Sequence, residues 1–306
     1  MSLFSKFLDG SILFSFDRSG FLRHAKTFEP ENFSGDGKVA LITGSSSGIG
    51  FAAARLLLQS HVEVHLLSRD HQRGVEAKQK LFSEFPGSTI HLHTVDISDT
   101  QALKLWLDSD APKLIDILVN NAGGMPSHLT FSKSGDEITW ATHLLGHNVL
   151  TKDLFDKKSL KEGSRVITVS SGGMYLQKLD LTDLTWNMRP YNKYRAYANA
   201  KRAQVILNQM WAEELTGGLC FSCMHPGWVD TLGVRRAMSL FCKLLGGRLR
   251  TPEQGADTIV WLALTTNRYP SGKFWFDRRL ASEHKFQYTV ESEAQRKSLW
   301  KMLNSN

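Results

Sequence analysis

From residue 38 onward, short runs of β-branched and aliphatic residues alternate with stretches whose apolar residues recur every three or four positions. That alternation is the pattern of βαβ units, in which fully buried parallel strands are covered by amphipathic helices. Strands are predicted at 39–43, 62–67, 89–95, 115–119, 165–169, 219–224 and 273–276, with helices notably at 50–59, 138–155, 197–215 and 252–264. The expected fold is therefore α/β, a single doubly wound domain on a seven-stranded, mostly parallel sheet.

No composition break divides the 306 residues, so the chain reads as an N-terminal extension (1–37), one domain (38–290) and a short helical tail (291–306). Apolar residues at 42% and charged residues at 22% allow a sizeable core. In the extension, Leu3, Phe4, Phe7 and Leu8 recur at helical spacing ahead of Ile12, Leu13 and Phe14. This stripe is too short for a secretory leader; it is expected to pack on the domain, with peripheral membrane contact through residues 1–30 as the alternative.

The net charge of +7 comes from basic residues interspersed with acidic ones, which points to a basic surface rather than nucleic-acid binding. No run of 18 apolar residues is present, and the three cysteines, two of them in the strand-like Leu219-Cys220-Phe221-Ser222-Cys223-Met224, suit neither a disulfide framework nor a zinc site. An intracellular, cytoplasmic location and no bound metal are the expectation.

Candidate chemistry begins at the end of the first strand, where Thr43-Gly44-Ser45-Ser46-Ser47-Gly48-Ile49-Gly50 opens into a helix. Glycines at a strand-to-helix turn let the backbone approach a pyrophosphate, whose charge the helix N-terminus stabilises. The second strand ends in Ser68-Arg69 rather than in an acidic residue, which suits the 2′-phosphate of NADP(H); Asp70, one position on, carries the NAD alternative. Asp96 and Ile97 follow the third strand, and Asn121, Ala122 and Gly123 follow the fourth, at the sheet's carboxyl edge where ligands bind.

After the fifth strand come Ser170 and Ser171, then Tyr197-Ala-Asn-Ala-Lys201. Residues i and i+4 share a helix face, so the ammonium is expected to lower the phenol from about 10 toward neutrality and make it an acid/base. A second Tyr-x-x-x-Lys, Tyr269 to Lys273, contains Pro270 and Gly272 and cannot be helical.

The ordered set TGSSSGIG, VDISD, NNAG, VSSGG, YANAK and HPGWVDT resembles the short-chain dehydrogenase/reductase family over about residues 38 to 277. The resemblance implies a Rossmann-like domain and an NADP(H)-dependent oxidoreductase, with Tyr197 as acid/base, Lys201 on the nicotinamide ribose and Ser171, rather than Ser170, on the substrate oxygen. Pro226, Gly227, Val229 and Thr231 would line the nicotinamide end, and helices 138–155 and 197–215 would pair copies into a homo-oligomer. One position departs from the pattern: His143 stands where relatives carry an Asn that holds a proton-relaying water, and Asn148, about 140° away on an α-helix, should not replace it. The insertion 179–195 is expected to form an active-site lip. The apolar segment 232–245 would cover a hydrophobic alcohol, aldehyde or ketone. The competing readings are a catalytically impaired NADP(H)-binding regulatory protein and a membrane-surface adaptor.

Overall fold

A computed structural model describes residues 15 to 305 of the chain apart from 30 and 32. The predicted stripe from Leu3 to Phe14 therefore lies outside the described residues. Among the described residues the order is α1 (Arg18–Ala25), β1 (Val39–Thr43), α2 (Gly48–Gln59), β2 (Glu63–Ser68), α3 (His71–Glu84), β3 (Ile90–Thr94), α4 (Thr100–Ser109) and β4 (Ile115–Asn120). A continuous helix α5 follows, made of Ile138–Trp140, Ala141–Gly146 and His147–Asp156. Then come β5 (Leu160–Val169), α6 (Lys193–Glu214), β6 (Cys220–His225), α7 (Leu232–Ala237), α8 (Ser239–Leu245), α9 (Pro252–Leu264), β7 (Lys273–Phe276), β8 (Arg279–Leu280) and α10 (Glu293–Asn304).

The strands form one sheet in the order β3-β2-β1-β4-β5-β6-β7-β8, parallel except for the last pair. Side chains alternate between its faces, and both faces are apolar because helices cover both. Leu41, Leu118 and Val166 point toward α4, α5 and α6, whereas Ala40, Ile42 and Val119 point toward α2 and α9. The two faces are the two halves of one hydrophobic core.

Three elements differ from expectation. The sheet has an eighth strand, missed because its hairpin turn is Asp277-Arg278, both at positive φ (47° and 58°), instead of a glycine-containing pair. Helix α6 starts at Lys193, four residues before Tyr197, where the Asn192 side chain accepts from the backbone N–H groups of Tyr194 and Arg195. Helix α5 widens to π geometry over Ala141–Gly146, which changes the angular phase of everything after it.

The described part of the extension packs on the domain. The Arg250 guanidinium, fully buried, makes two hydrogen bonds to the Asp277 carboxylate at 2.5 and 2.8 Å and reaches the carbonyls of Ser15 and Asp17. His24 Nδ1 meets the same carboxylate at 2.6 Å, so Asp277 is held by Arg250 and His24 together. At the other end, α10 lies against α5 and α6: Leu299 and Leu303 join their core, and the Asn148 side-chain amide donates to the Leu303 carbonyl at 2.8 Å. Part of the surface expected to pair copies is thus covered within the chain. Among the described residues no helix is long and apolar enough to cross a membrane.

Candidate active site

Where strand order reverses between β1 and β4, their carboxyl ends open onto a cleft of two contiguous lobes, of 430 and 290 Å³. Gly44, Ser47, Gly123 and Gly124 line both lobes.

The turn before α2 is built so that backbone meets backbone. Gly44 has φ +65°, and a Cβ there would stand 2.8 Å from the Ala122 Cα; one on Gly50 would stand 2.5 Å from the Gly44 carbonyl oxygen. The Asn121 amide donates to the carbonyls of Thr43 and Gly44 at 2.9 and 3.2 Å, tying β1 to β4. Ser46 faces the larger lobe, and Gly48 and Ile49 the smaller.

The larger lobe also collects Ser68, Arg69, Asp96 and Ile97. Asp96 accepts from the Ser98 backbone N–H and hydroxyl at 2.9 and 2.7 Å. Asp70, the residue on which NAD depends, caps α3 by accepting from the Arg73 backbone N–H at 3.0 Å. Arg73 itself was missed by sequence reasoning; its guanidinium donates to the Ser47 hydroxyl at 3.0 Å, beside Arg69 in the same lobe.

The smaller lobe gathers Ser171, Tyr197, Lys201 and His143 with Pro226, Gly227, Val229 and Thr231. The two serines part company: the Ser170 hydroxyl donates to the Lys201 backbone carbonyl at 2.9 Å, whereas Ser171 lines the lobe with Tyr197 and its hydroxyl accepts from the Gly173 backbone N–H at 3.3 Å. Thr231 caps α7 by accepting from the Val234 N–H at 3.2 Å, and Gly227, at φ +80°, makes room for the Arg250 side chain. His225, also missed, accepts from the backbone N–H groups of Gly172 and Gly227 at 3.1 and 3.3 Å and so holds the serine and proline-glycine loops together.

Lys201 is 3% exposed, and its ammonium donates to the Val169 carbonyl at 2.7 Å and the Gln204 Oε1 at 3.0 Å. Desolvation brings it down to about 7. The expectation that this ammonium lowers Tyr197 is not met: burial pushes the phenol above its usual value, opposed only by the nearby Ser171 side chain. Helix spacing puts the two side chains on one face, with the Lys201 Nζ 5.5 Å from the Tyr197 ring centre, but enclosure outweighs that proximity.

His143 is fully buried and stands edge-on to Tyr197 with ring centres 5.6 Å apart. Its Nε2 contacts Gly124, while Nδ1 has no hydrogen-bond partner among the described residues. Its backbone carbonyl accepts instead from the Gln204 Nε2 at 3.0 Å, and the same Nε2 donates to His147 Nδ1 at 3.1 Å. Gln204 therefore joins Lys201 to α5 directly. Its i+3 spacing from Lys201 was a usable signal; the approach of His147 was not, because it depends on the π turn. Asn148 is committed elsewhere, accepting from the Trp211 indole at 3.0 Å.

The insertion 179–195 leans over the cleft through the Tyr191 hydroxyl, which donates to the Pro126 carbonyl at 3.2 Å. On the facing side, Val234, Ala237, Met238 and Phe241 of α7 and α8 close the smaller lobe together with Trp228 and Met125. Cys220 and Cys223 lie in β6 as free thiols.

The model of the short chain dehydrogenase family matches residues 38–239. The chain is 38% identical over 294 residues to "Dehydrogenase/reductase SDR family member 12" of Bos taurus, covering 94% of this chain and 92% of the relative. It is 32% identical over 248 residues to "Retinol dehydrogenase 12" of Homo sapiens, covering 79% and 78%. Its fold matches L-sorbose reductase of Gluconobacter frateurii, solved with NADPH and L-sorbose, at TM-score 0.64 and 25% identity over 80% of this chain and 97% of that one. A doubly wound sheet with a glycine turn at its switch point defines a class of dinucleotide-binding folds. Within that class the chain belongs to the short-chain dehydrogenase/reductase family, whose members bind NAD or NADP.

Buried neutral imidazoles make the site sensitive to acid. Desolvation holds His147 and His225 at about 3, so between there and the ordinary value of 6.5 the unfolded chain binds protons that the folded one does not. Stability is full above pH 6.5 and is lost as pH falls toward 3. Thermal melts across pH 4–7 should show Tm falling with acidification, with a shallower slope in His147→Gln; equal slopes would contradict the assignment.

Proposed function

We propose that the protein is an NADP(H)-dependent oxidoreductase that interconverts a hydrophobic alcohol and its aldehyde or ketone. The observation that carries this reading is the convergence of Ser171, Tyr197 and Lys201 in one lobe, contiguous with a second lobe that carries Arg69 and Arg73.

The residues fit a dinucleotide. Gly44, Gly48 and Gly50 leave a cradle at the N-terminus of α2 that any Cβ would obstruct, and N–H groups there suit a pyrophosphate. Arg69 and Arg73 would hold a 2′-phosphate; Asp96 and Ile97 the adenine; Asn121, Ala122 and Gly123 the floor; and Pro226, Gly227, Val229 and Thr231 the nicotinamide end. When bound in its reduced form, the nicotinamide supplies a hydride to the carbonyl carbon.

Tyr197 donates its phenolic proton to the substrate oxygen, which Ser171 orients. A phenol raised by burial stays protonated at neutral pH, as a proton donor for carbonyl reduction must. Lys201 stabilises the resulting phenolate, and Gln204 positions Lys201. The apolar wall of Val234, Met238, Phe241 and Trp228 suits a hydrophobic substrate, in keeping with the retinol dehydrogenase relatives.

A second reading, an NADP(H)-binding regulatory protein without turnover, is favoured by His143, whose buried ring contacts Gly124 at the position where the family resemblance expects an Asn.

NADPH oxidation with a panel of hydrophobic aldehydes and ketones separates the two. Turnover should fall at least 1000-fold in Tyr197→Phe while NADPH binding, followed by fluorescence, stays within twofold; binding with no turnover on any panel member would favour the regulatory reading. Replacing Arg69 and Arg73 together by Ala should raise the Kd for NADPH at least tenfold and leave that for NADH within threefold; equal effects on both would remove the 2′-phosphate assignment. In Gln204→Leu, kcat should fall at least tenfold and its pH profile shift, with partial rescue in Gln204→Asn. An unshifted profile would make Gln204 a packing residue only.

A further inference from the structure

Along β2 and β3, one sheet face carries four side chains of types able to ligate a metal. Parallel pairing sets His65 opposite His91, and the period of two along each strand adds Glu63 and His93 to that face. The His65 Nε2 stands 3.0 Å from Glu63 Oε1, and the His91 Nε2 stands 3.4 Å from the same oxygen. The donor atoms of these three residues all lie within 4.8 Å of one another. A tetrahedral zinc ion with bonds of about 2.0–2.1 Å has ligand atoms roughly 3.3 Å apart, so two of the edges are already formed.

We propose that Glu63, His65 and His91 form a binding site for a borderline divalent cation of the zinc class, with water in the remaining position. Two imidazoles and one carboxylate are a donor set suited to zinc, nickel or copper rather than to calcium or magnesium. His65 is buried and held in place, whereas His91 is 47% exposed along its side chain, which gives the ion an entry from solvent. Behind His65, its Nδ1 meets His93 Nε2 at 2.9 Å, and the Trp106 indole donates to His93 Nδ1 at 3.3 Å. Such outer partners fix the orientation of a ligating ring.

The metal-free contacts assign the protons. Trp106 can only donate, so His93 carries its proton on Nε2 and donates to His65 Nδ1; His65 then donates from Nε2 to Glu63. Binding a cation at His65 Nε2 moves that proton to Nδ1 and reverses the His65–His93 bond. The His93 proton moves to Nδ1, where it opposes the indole N–H. The long Trp106 contact is the one that gives way, so Trp106 reports occupancy. The site clips edge strand β3 to β2 at the end of the strands opposite the nucleotide cleft, and it is independent of the proposed reaction.

Titration of the full chain with zinc chloride at pH 7.5, by calorimetry and by indole fluorescence, tests this. One equivalent should bind below 100 µM and raise Tm, with affinity at least tenfold weaker in Glu63→Gln and in His91→Ala, two half-exposed positions whose replacement spares the core. NADPH binding should be unchanged in both variants. Trp106→Phe should bind zinc yet lose the fluorescence change. No saturable binding, or binding equally strong in both variants, as at an adventitious surface histidine only, would overturn the site; a full fluorescence change in Trp106→Phe would overturn the proton shift.

Discussion

The hydroxyl of Thr43 is the contact on which both lobes of the cleft depend. It accepts from the backbone N–H groups of Asn121 and Ala122 at 2.9 Å each and donates to the Val119 carbonyl, so the last residue of β1 is bound to the end of β4. That bond sits where the sheet reverses its order, and the Gly44 turn starts from it. The His147 Nε2 approaches the same hydroxyl at 3.4 Å, and from His147 the hydrogen bonds run through Gln204 to the Lys201 ammonium. The glycine turn before α2 and the Lys201 ammonium are thus linked through one threonine.

Burial has different consequences for different groups in this framework. Lys201 keeps two acceptors and is brought down to about 7, so it remains partly charged near neutrality. His147 and His225 spend a ring nitrogen accepting from amide or backbone N–H groups and stay neutral. His143 does likewise through Nε2, which accepts from the Gly124 N–H, while its Nδ1 and the His225 Nε2 are buried without a hydrogen-bond partner among the described residues, each at a cost of about 1–3 kcal/mol.

Much of the fold was legible because parallel strands buried on both faces leave apolar runs that nothing else in the chain resembles. The eighth strand and the early start of α6 were not, since each depends on a local device, a hairpin turn of Asp277 and Arg278 and a cap at Asn192, that carries no apolar signature. In the candidate site, the glycine turn, Tyr197 and Lys201 could be read from spacing, and Ser171 from the family resemblance. Arg73 and His225 could not be assigned, because each acts on a residue from another part of the chain; for Gln204 the i+3 spacing from Lys201 was a signal, but its contact with α5 was not.

Sequence alone determined which residues are chemically able to act and the order in which strands and helices carry them, because those follow from side-chain type and from periods of two and 3.6. It could not decide protonation. The phenol of Tyr197 rises where helix spacing alone predicts a fall, since desolvation depends on everything packed around it. Nor could it decide phase along α5, where a π turn brings His147 onto Gln204 and leaves Asn148 to the tail helix. Those outcomes belong to the tertiary structure, because burial and the close approach of distant segments exist only once the chain has folded.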